Sequence, residues 1–183
     1  MPHFALEKAG ALVLAAGKGT RMHSDRPKVL HRLLEEPMLA YVYRAAEPLV
    51  GLSIWTVVGH KADIVQSAFP SHQGRFVTQS QQLGTGHALQ QAWPVLSGAA
   101  LKHVLVINGD TPLVTSAILR SFFENCQSVD ADIAFITLTL EDPGAYGRVV
   151  RSGGEVAAII EAKDYDDSLH GPMTGEINAG IYC

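Results

Sequence analysis

Short apolar runs alternate along the chain with stretches in which apolar residues recur every three or four positions. The first pattern reads as strand and the second as amphipathic helix. Ala11–Ala16 is apolar throughout, as expected of a strand buried on both faces. Pro37 opens a helix on which Met38, Tyr41, Val42, Ala45, Ala46 and Leu49 share one face. Ile54–Val58 is a second strand, ended by Gly59. Lys61–Phe69 is a short helix stopped by Pro70, and Arg75–Thr78 a short strand. Gly86–Trp93 is a helix whose end Pro94 disrupts. His103–Ile107 is a buried strand terminated by Asn108-Gly109-Asp110.

The second half of the chain follows the same grammar. Thr115 or Ser116 caps a helix with the stripe Ile118, Leu119, Phe122, Phe123 and Cys126. Ile133–Leu140 is a strand rich in β-branched residues. Val149–Arg151 and Val156–Ile160, split by Ser152-Gly153-Gly154, form a hairpin. Asp164–Gly175 reads as a polar loop and Ile177–Tyr182 as a last strand. Alternating strands and helices predict an α/β fold: a doubly wound, mostly parallel sheet covered on both faces. Ligands of such sheets bind beyond the carboxyl ends of the strands. The turns after Leu14, Thr78 and Ile107 all follow strands, so they are expected to meet at one rim.

Composition narrows the class. A chain of 183 residues with 47% hydrophobic and 17% charged residues has enough apolar material for a core and is not disordered. A net charge of -4 leaves no basic excess to replace counterions on nucleic acid. No apolar run approaches the roughly 18 residues of a membrane span, and no basic segment precedes a long apolar stretch at the N-terminus. The cysteines, Cys126 and Cys183, make neither a disulfide framework nor a zinc motif, and a reducing, cytoplasmic setting is expected. The scattered histidines form no HExxH, and no GxSxG elbow is present.

The basic residues are local. Leu14-Ala15-Ala16-Gly17-Lys18-Gly19-Thr20-Arg21-Met22 follows the first strand, with Arg26 and Lys28 close behind. Glycines after a buried strand let backbone N–H groups approach an anion, and the cations suit a phosphorylated ligand. The loop is neither a dinucleotide fingerprint, since Met22 stands where a third glycine belongs, nor a Walker A loop, since Gly19 follows Lys18. Read alone, its alternative is a glycine turn with solvated basic residues.

With these motifs in place the chain resembles the nucleotidyltransferases that activate sugar 1-phosphates. The glycine loop with Pro27-Lys28 is similar to that superfamily's signature. Gln82-Leu83-Gly84-Thr85-Gly86-His87-Ala88 resembles the uracil-reading loop of bacterial N-acetylglucosamine-1-phosphate uridyltransferases, the first half of bifunctional enzymes. Asn108-Gly109-Asp110-Thr111-Pro112-Leu113, Tyr146-Gly147-Arg148 and Glu176-Ile177-Asn178-Ala179-Gly180 match in the same order. Ala145 departs from the glycine often found there.

The resemblance implies a Rossmann-like nucleotidyltransferase domain over residues 1–183, truncated at its C-terminal end and lacking the acetyltransferase β-helix. It implies UTP and N-acetylglucosamine 1-phosphate as substrates and Mg²⁺ as cofactor, serving cell-wall and lipopolysaccharide synthesis in the cytoplasm. No nucleic-acid or membrane partner is implied, and homo-oligomer formation is left open. Residue by residue, Leu14, Ala15, Ala16, Gly17 and Gly19 would face the nucleotide. Arg21 and Lys28 would stabilise charge, with Lys18 and Arg26 solvated. Asp110 would hold the metal, its alternative being a turn residue. Gln79, Gly84 and Thr85 would read the base, and Asn108, Gly109, Asp110, Gly147, Glu161 and Asn178 would serve the sugar side. Another sugar-phosphate nucleotidyltransferase, for glucose or for dTTP, and a non-catalytic binding fragment are the alternatives.

Overall fold

A computed structural model describes residues 8–19, 22–129 and 131–183. It divides into two compact units, one running to Ala131 and including Cys183, the other Asp132–Tyr182. Arg21 lies outside the described residues.

The first unit is built on β1 (Ala9–Ala15), which begins earlier than its apolar run. A small antiparallel hairpin, β2 (Arg32–Leu33) and β3 (Glu36–Pro37), leads into α1 (Met38–Val50). Then come β4 (Ile54–Val58), α2 (Ala62–Ala68), β5 (Phe76–Thr78), α3 (Thr85–Gly98), β6 (His103–Asn108) and α4 (Ser116–Ser128). Strands run in the order β5-β4-β1-β6, every pairing parallel. Ala11, Leu12 and Val13 of β1 are wholly buried, with α1 and α3 both packed against the strand. This is the doubly wound arrangement that the alternation predicts.

Three details differ from expectation. On α1 the buried stripe is Leu39, Val42, Tyr43, Ala45, Ala46, Leu49 and Val50. Tyr43, not Tyr41, turns inward, because its hydroxyl finds the buried Thr56 Oγ1 at 2.8 Å. Tyr41 instead donates to the Leu33 carbonyl at 2.7 Å. Helix α3 continues past Pro94 to Gly98, since buried Ala92 and Leu96 hold both sides of the proline. On α4, Thr115 is the N-cap, accepting from the Ile118 N–H, while the Ile118 side chain is exposed.

The second unit is antiparallel, in the order β7-β10-β8-β9: β7 (Phe135–Thr139), β8 (Arg148–Ser152), β9 (Glu155–Ile160) and β10 (Glu176–Tyr182). The expected hairpin is present, turning through Gly153 and Gly154 at φ 61° and 90°, values that favour glycine. The expected loop carries one short helix, α5 (Asp167–His170). Buried Arg148 folds the preceding loop by donating to the carbonyls of Pro143 (3.2 Å), Gly144 (2.7 Å) and Tyr146.

Candidate nucleotide-binding cleft

Strand register brings the three turns together. Leu14 lies opposite Asn108, Ala15 opposite Val58, and Val58 opposite Thr78. Four parallel strands therefore end at one level. The order reverses beside β1, since β4 and β5 lie on one side and β6 on the other; such switch points open a crevice at the carboxyl ends. A cleft of about 360 Å³ lies there, lined by Leu14, Ala15, Ala16 and Gly17 after β1. Gln79, Gly84 and Thr85 line it after β5, and Asn108, Asp110 and Lys28 complete it.

Glycines set the approach of these segments. A Cβ on Gly17 would meet no protein atom within 4 Å. The space it leaves opens on the cleft, as a phosphate cradle requires. Gly19, at φ 61°, lets Lys28 close in: a Cβ would lie 2.8 Å from the Lys28 Cβ. Gly109 packs on the end of β1, its N–H bonded to the Leu14 carbonyl at 2.9 Å. Lys18 and Arg26 are exposed, as solvated cations should be.

The two groups expected to carry charge face each other. Lys28 Nζ forms an ion pair with Asp110 Oδ2, both side chains about one-third exposed or less. Thr111 Oγ1 donates to the Asn108 carbonyl at 2.6 Å and tightens the turn carrying Asp110. Among the described residues, no group of three His, Cys, Asp or Glu is placed to hold a metal. One carboxylate beside a space for phosphates is nevertheless how proteins commonly bind Mg²⁺. The donor set fits.

Of the residues expected to read the base, Gln79 and Gly84 join a network with Gln82 and His87. Gln79 is buried, its N–H bonded to the Val58 carbonyl at 2.7 Å as a continuation of the ladder. Gln79 Nε2 donates to the Gly84 carbonyl (3.2 Å) and contacts His87 Nδ1 (3.0 Å). Gln82 Nε2 donates to the Gln79 carbonyl at 3.1 Å. Gly59 is also part of this construction: a Cβ there would lie 2.7 Å from Gln82 Nε2 and 2.9 Å from the Ala16 carbonyl. The sequence reading misses Gly59 and Val29 as lining or supporting residues, and names Gln82 and Ala88 only as members of the Gln82–Ala88 loop. Gly59 had a signal, since it follows β4 as Gly109 follows β6.

Of the residues expected to serve the sugar, Asn108, Gly109 and Asp110 lie in the first unit, and Gly147, Glu161 and Asn178 come together within the second. The Asn178 N–H bonds the Gly147 carbonyl at 2.9 Å, and Asn178 Oδ1 accepts from the Gly180 N–H at 2.9 Å. A Cβ on Gly147 would stand 3.9 Å from Glu161 Oε1. A further hollow in this unit is bordered by Arg151 and Glu176, which are joined by paired 2.8 Å hydrogen bonds. Each side of that pair holds the other charged: the Glu176 carboxyl is held down by the guanidinium, and Arg151 is raised by the carboxylate.

Comparison with known proteins agrees with the geometry. A family model described as a MobA-like NTP transferase domain matches residues 11–163. The bifunctional protein GlmU of Nitratidesulfovibrio vulgaris (strain DSM 19637 / Miyazaki F) is 62% identical over 174 residues, 95% of this chain and 38% of that protein. The GlmU of Lawsonia intracellularis is 46% identical over 182 residues, all of this chain and 39% of that protein. The chain thus spans about two-fifths of the length of these curated relatives. HddC from Yersinia pseudotuberculosis, solved in complex with GMP-PN, superposes with a TM-score of 0.66 at 25% identity, over 94% of this chain and 75% of that one.

Proposed function

The chain belongs to the MobA-like NTP transferase family, and on that premise we propose that it transfers UMP from UTP to N-acetylglucosamine 1-phosphate. The products are UDP-N-acetylglucosamine and pyrophosphate. The observation carrying this reading is the convergence of Gly17, Lys28, Gln79, Thr85 and Asp110 on one cleft at the switch point. The ordered motifs shared with bacterial uridyltransferases, and the identity to bifunctional GlmU proteins, support the choice of base and sugar.

In this reading a phosphate oxygen of the sugar phosphate attacks the α-phosphorus of UTP in line, and pyrophosphate leaves. The backbone at Ala16 and Gly17 receives the triphosphate, where N–H groups meet negative oxygens. Lys28 turns from Asp110 to the phosphates, and its charge counters what develops on the phosphoryl oxygens. Arg21, by its place in the motif, adds a second cation. Asp110, released from Lys28, is the residue to hold Mg²⁺. The bound ion would neutralise phosphate charge alongside the two cations. Gln79, Gly84 and Thr85 serve the base. Asn108 and Gly109 shape the turn under the reacting groups. Gly147, Glu161 and Asn178 serve the sugar, Glu161 as acceptor and Asn178 as both donor and acceptor. The 183 residues are read as part of one nucleotidyltransferase domain. Among the described residues no helix is long and apolar enough to cross a membrane; the cytoplasmic setting is part of the proposal.

The test is pyrophosphate release from UTP and N-acetylglucosamine 1-phosphate with Mg²⁺. Turnover should fall by about a hundredfold or more in Asp110→Asn, the scale seen when a transition-state electrostatic group is removed. Equal or better turnover with glucose 1-phosphate or dTTP would move the assignment to another member of the superfamily. A binding-only role is the second reading. It predicts UTP binding without turnover, unchanged in turnover by Asp110→Asn.

A further inference from the structure

The Gln79 amide has a determined polarity. Its Nε2 lies 3.2 Å from the Gly84 carbonyl oxygen. That oxygen only accepts, so the NH₂ end of the amide must face it. The same nitrogen is 3.0 Å from His87 Nδ1. With one N–H directed at Gly84, the other is directed at the ring, and Nδ1 must be the unprotonated, accepting nitrogen. A neutral imidazole that accepts at Nδ1 carries its proton on Nε2. His87 Nε2 lies 3.3 Å from Gln91 Nε2, one turn further along α3. A ring nitrogen that carries its proton cannot accept from that NH₂, so this tautomer requires the Gln91 amide to turn over and accept through its oxygen.

Both N–H groups of Gln79 are thus turned to the protein, and what the side chain offers the cleft is the carbonyl Oε1. Among the described residues no donor is bonded to it. Beside it, Gly84 is the N-cap residue of α3, where the first backbone N–H groups lack helical partners. An acceptor next to backbone donors matches a base edge carrying an N–H beside a carbonyl. Uracil and thymine have that edge; cytosine presents an acceptor nitrogen, which would oppose Oε1 lone pair to lone pair.

We infer that His87, backed by Gln91, is a positioning residue that locks the Gln79 amide with its oxygen toward the base, and so makes the cleft discriminate UTP from CTP. The inference rests on the reading of this cleft as the UTP site. Two acceptors fix the amide together: the Gly84 carbonyl takes one N–H and His87 Nδ1 the other, so turning the amide over would set its oxygen against both. The imidazole is the part of that lock a side-chain substitution removes, and Gln91 holds its tautomer.

The experiment is calorimetric titration of the whole chain with UTP and with CTP in the presence of Mg²⁺. The parent should bind UTP at least about tenfold more tightly than CTP, the scale of one unpaired buried polar group. In His87→Ala the preference should shrink by about the same factor, chiefly through weaker UTP binding. His87→Gln, which returns an accepting oxygen, should restore most of the preference. A general loss of structure would weaken both nucleotides alike, so the ratio separates positioning from stability. An unchanged ratio in His87→Ala, with UTP still bound, overturns the inference and leaves the proposed function standing. So does a parent that binds both nucleotides equally. A parent that binds neither removes the UTP site and the inference with it. Should His87→Ala fail to fold, long-range ¹⁵N–¹H correlation on the parent tests the same point independently. The His87 ring must carry its proton on Nε2, and a proton on Nδ1 refutes the locked amide.

Discussion

Replacing Gly109 by alanine tests how tightly the turn after β6 is pressed onto β1. The added Cβ would lie 3.1 Å from the Leu14 carbonyl oxygen, 3.2 Å from Val29 Cγ1 and 3.3 Å from Leu39 Cδ1. Ordinary contact begins a few tenths of an ångström further out, so several neighbours must give at once. Leu39 is wholly buried and Val29 nearly so. The Leu14 oxygen cannot retreat freely, because it accepts from the Gly109 N–H itself at 2.9 Å. The residue's φ is not in the left-handed region, so the cost is steric and not conformational. Overpacking of this kind costs about 1–3 kcal/mol. At roughly 2–4 °C per kcal/mol for a chain of this size, the melting temperature should fall by about 2–12 °C.

Thermal unfolding followed by circular dichroism measures that fall, and a double-mutant cycle identifies its source. Val29→Ala removes the Cγ1 contact, so Gly109→Ala should cost about 0.5–1 kcal/mol less in that background than in the parent, as neighbouring residues couple. Displacement of the turn should also weaken Mg²⁺-dependent UTP binding, since Asp110 is the next residue. A Gly109→Ala protein that melts with the parent, or a cycle with no coupling, would show that the turn is looser than these distances state.

Three further outcomes are expected. Tyr43→Phe leaves the buried Thr56 hydroxyl without its 2.8 Å partner and should destabilise by about 1–2 kcal/mol in urea titration; adding Thr56→Val should recover part of this. His72 is buried against the Tyr43 ring, 3.9 Å between centroids, and burial holds its pKa below the ordinary 6.5, with nearby Glu47 opposing the shift and Arg75 reinforcing it. The unfolded chain then binds the proton more readily, so stability is fully present above 6.5 and is lost as pH falls through and below that value. Denaturation midpoints should show this loss, and His72→Gln should reduce it. Burial, and then the hydrogen bond with Cys126, push the Cys183 thiol up to about 12, while Cys126 itself is buried. Iodoacetamide at mildly alkaline pH should therefore modify both thiols far more slowly in the folded chain than in denaturant.

How far the sequence alone reaches is clearest at the cleft. The apolar runs Ala11–Leu14, Ile54–Val58 and His103–Ile107 identify their strands, because a strand buried on both faces has no polar position to hide it. The glycines after them, with Lys28, Gln79 and Asp110, are legible as candidate site residues because turn chemistry is local. Periodicity on α1 names the helix but not the inward neighbour: Tyr41 and Tyr43 fit similar stripes, and the Thr56 hydroxyl across the interface chooses Tyr43. Likewise Pro94 looks like a stop until Ala92 and Leu96 are seen anchoring the helix on either side of it. The pairing of Lys28 with Asp110, the opposition of Gly59 to Gln82, and the chain from Gln91 through His87 to Gln79 join residues on different segments or depend on how one segment meets another. No local pattern encodes those distances. They follow from parallel register, which ends four strands at one level and is fixed only when the whole unit packs.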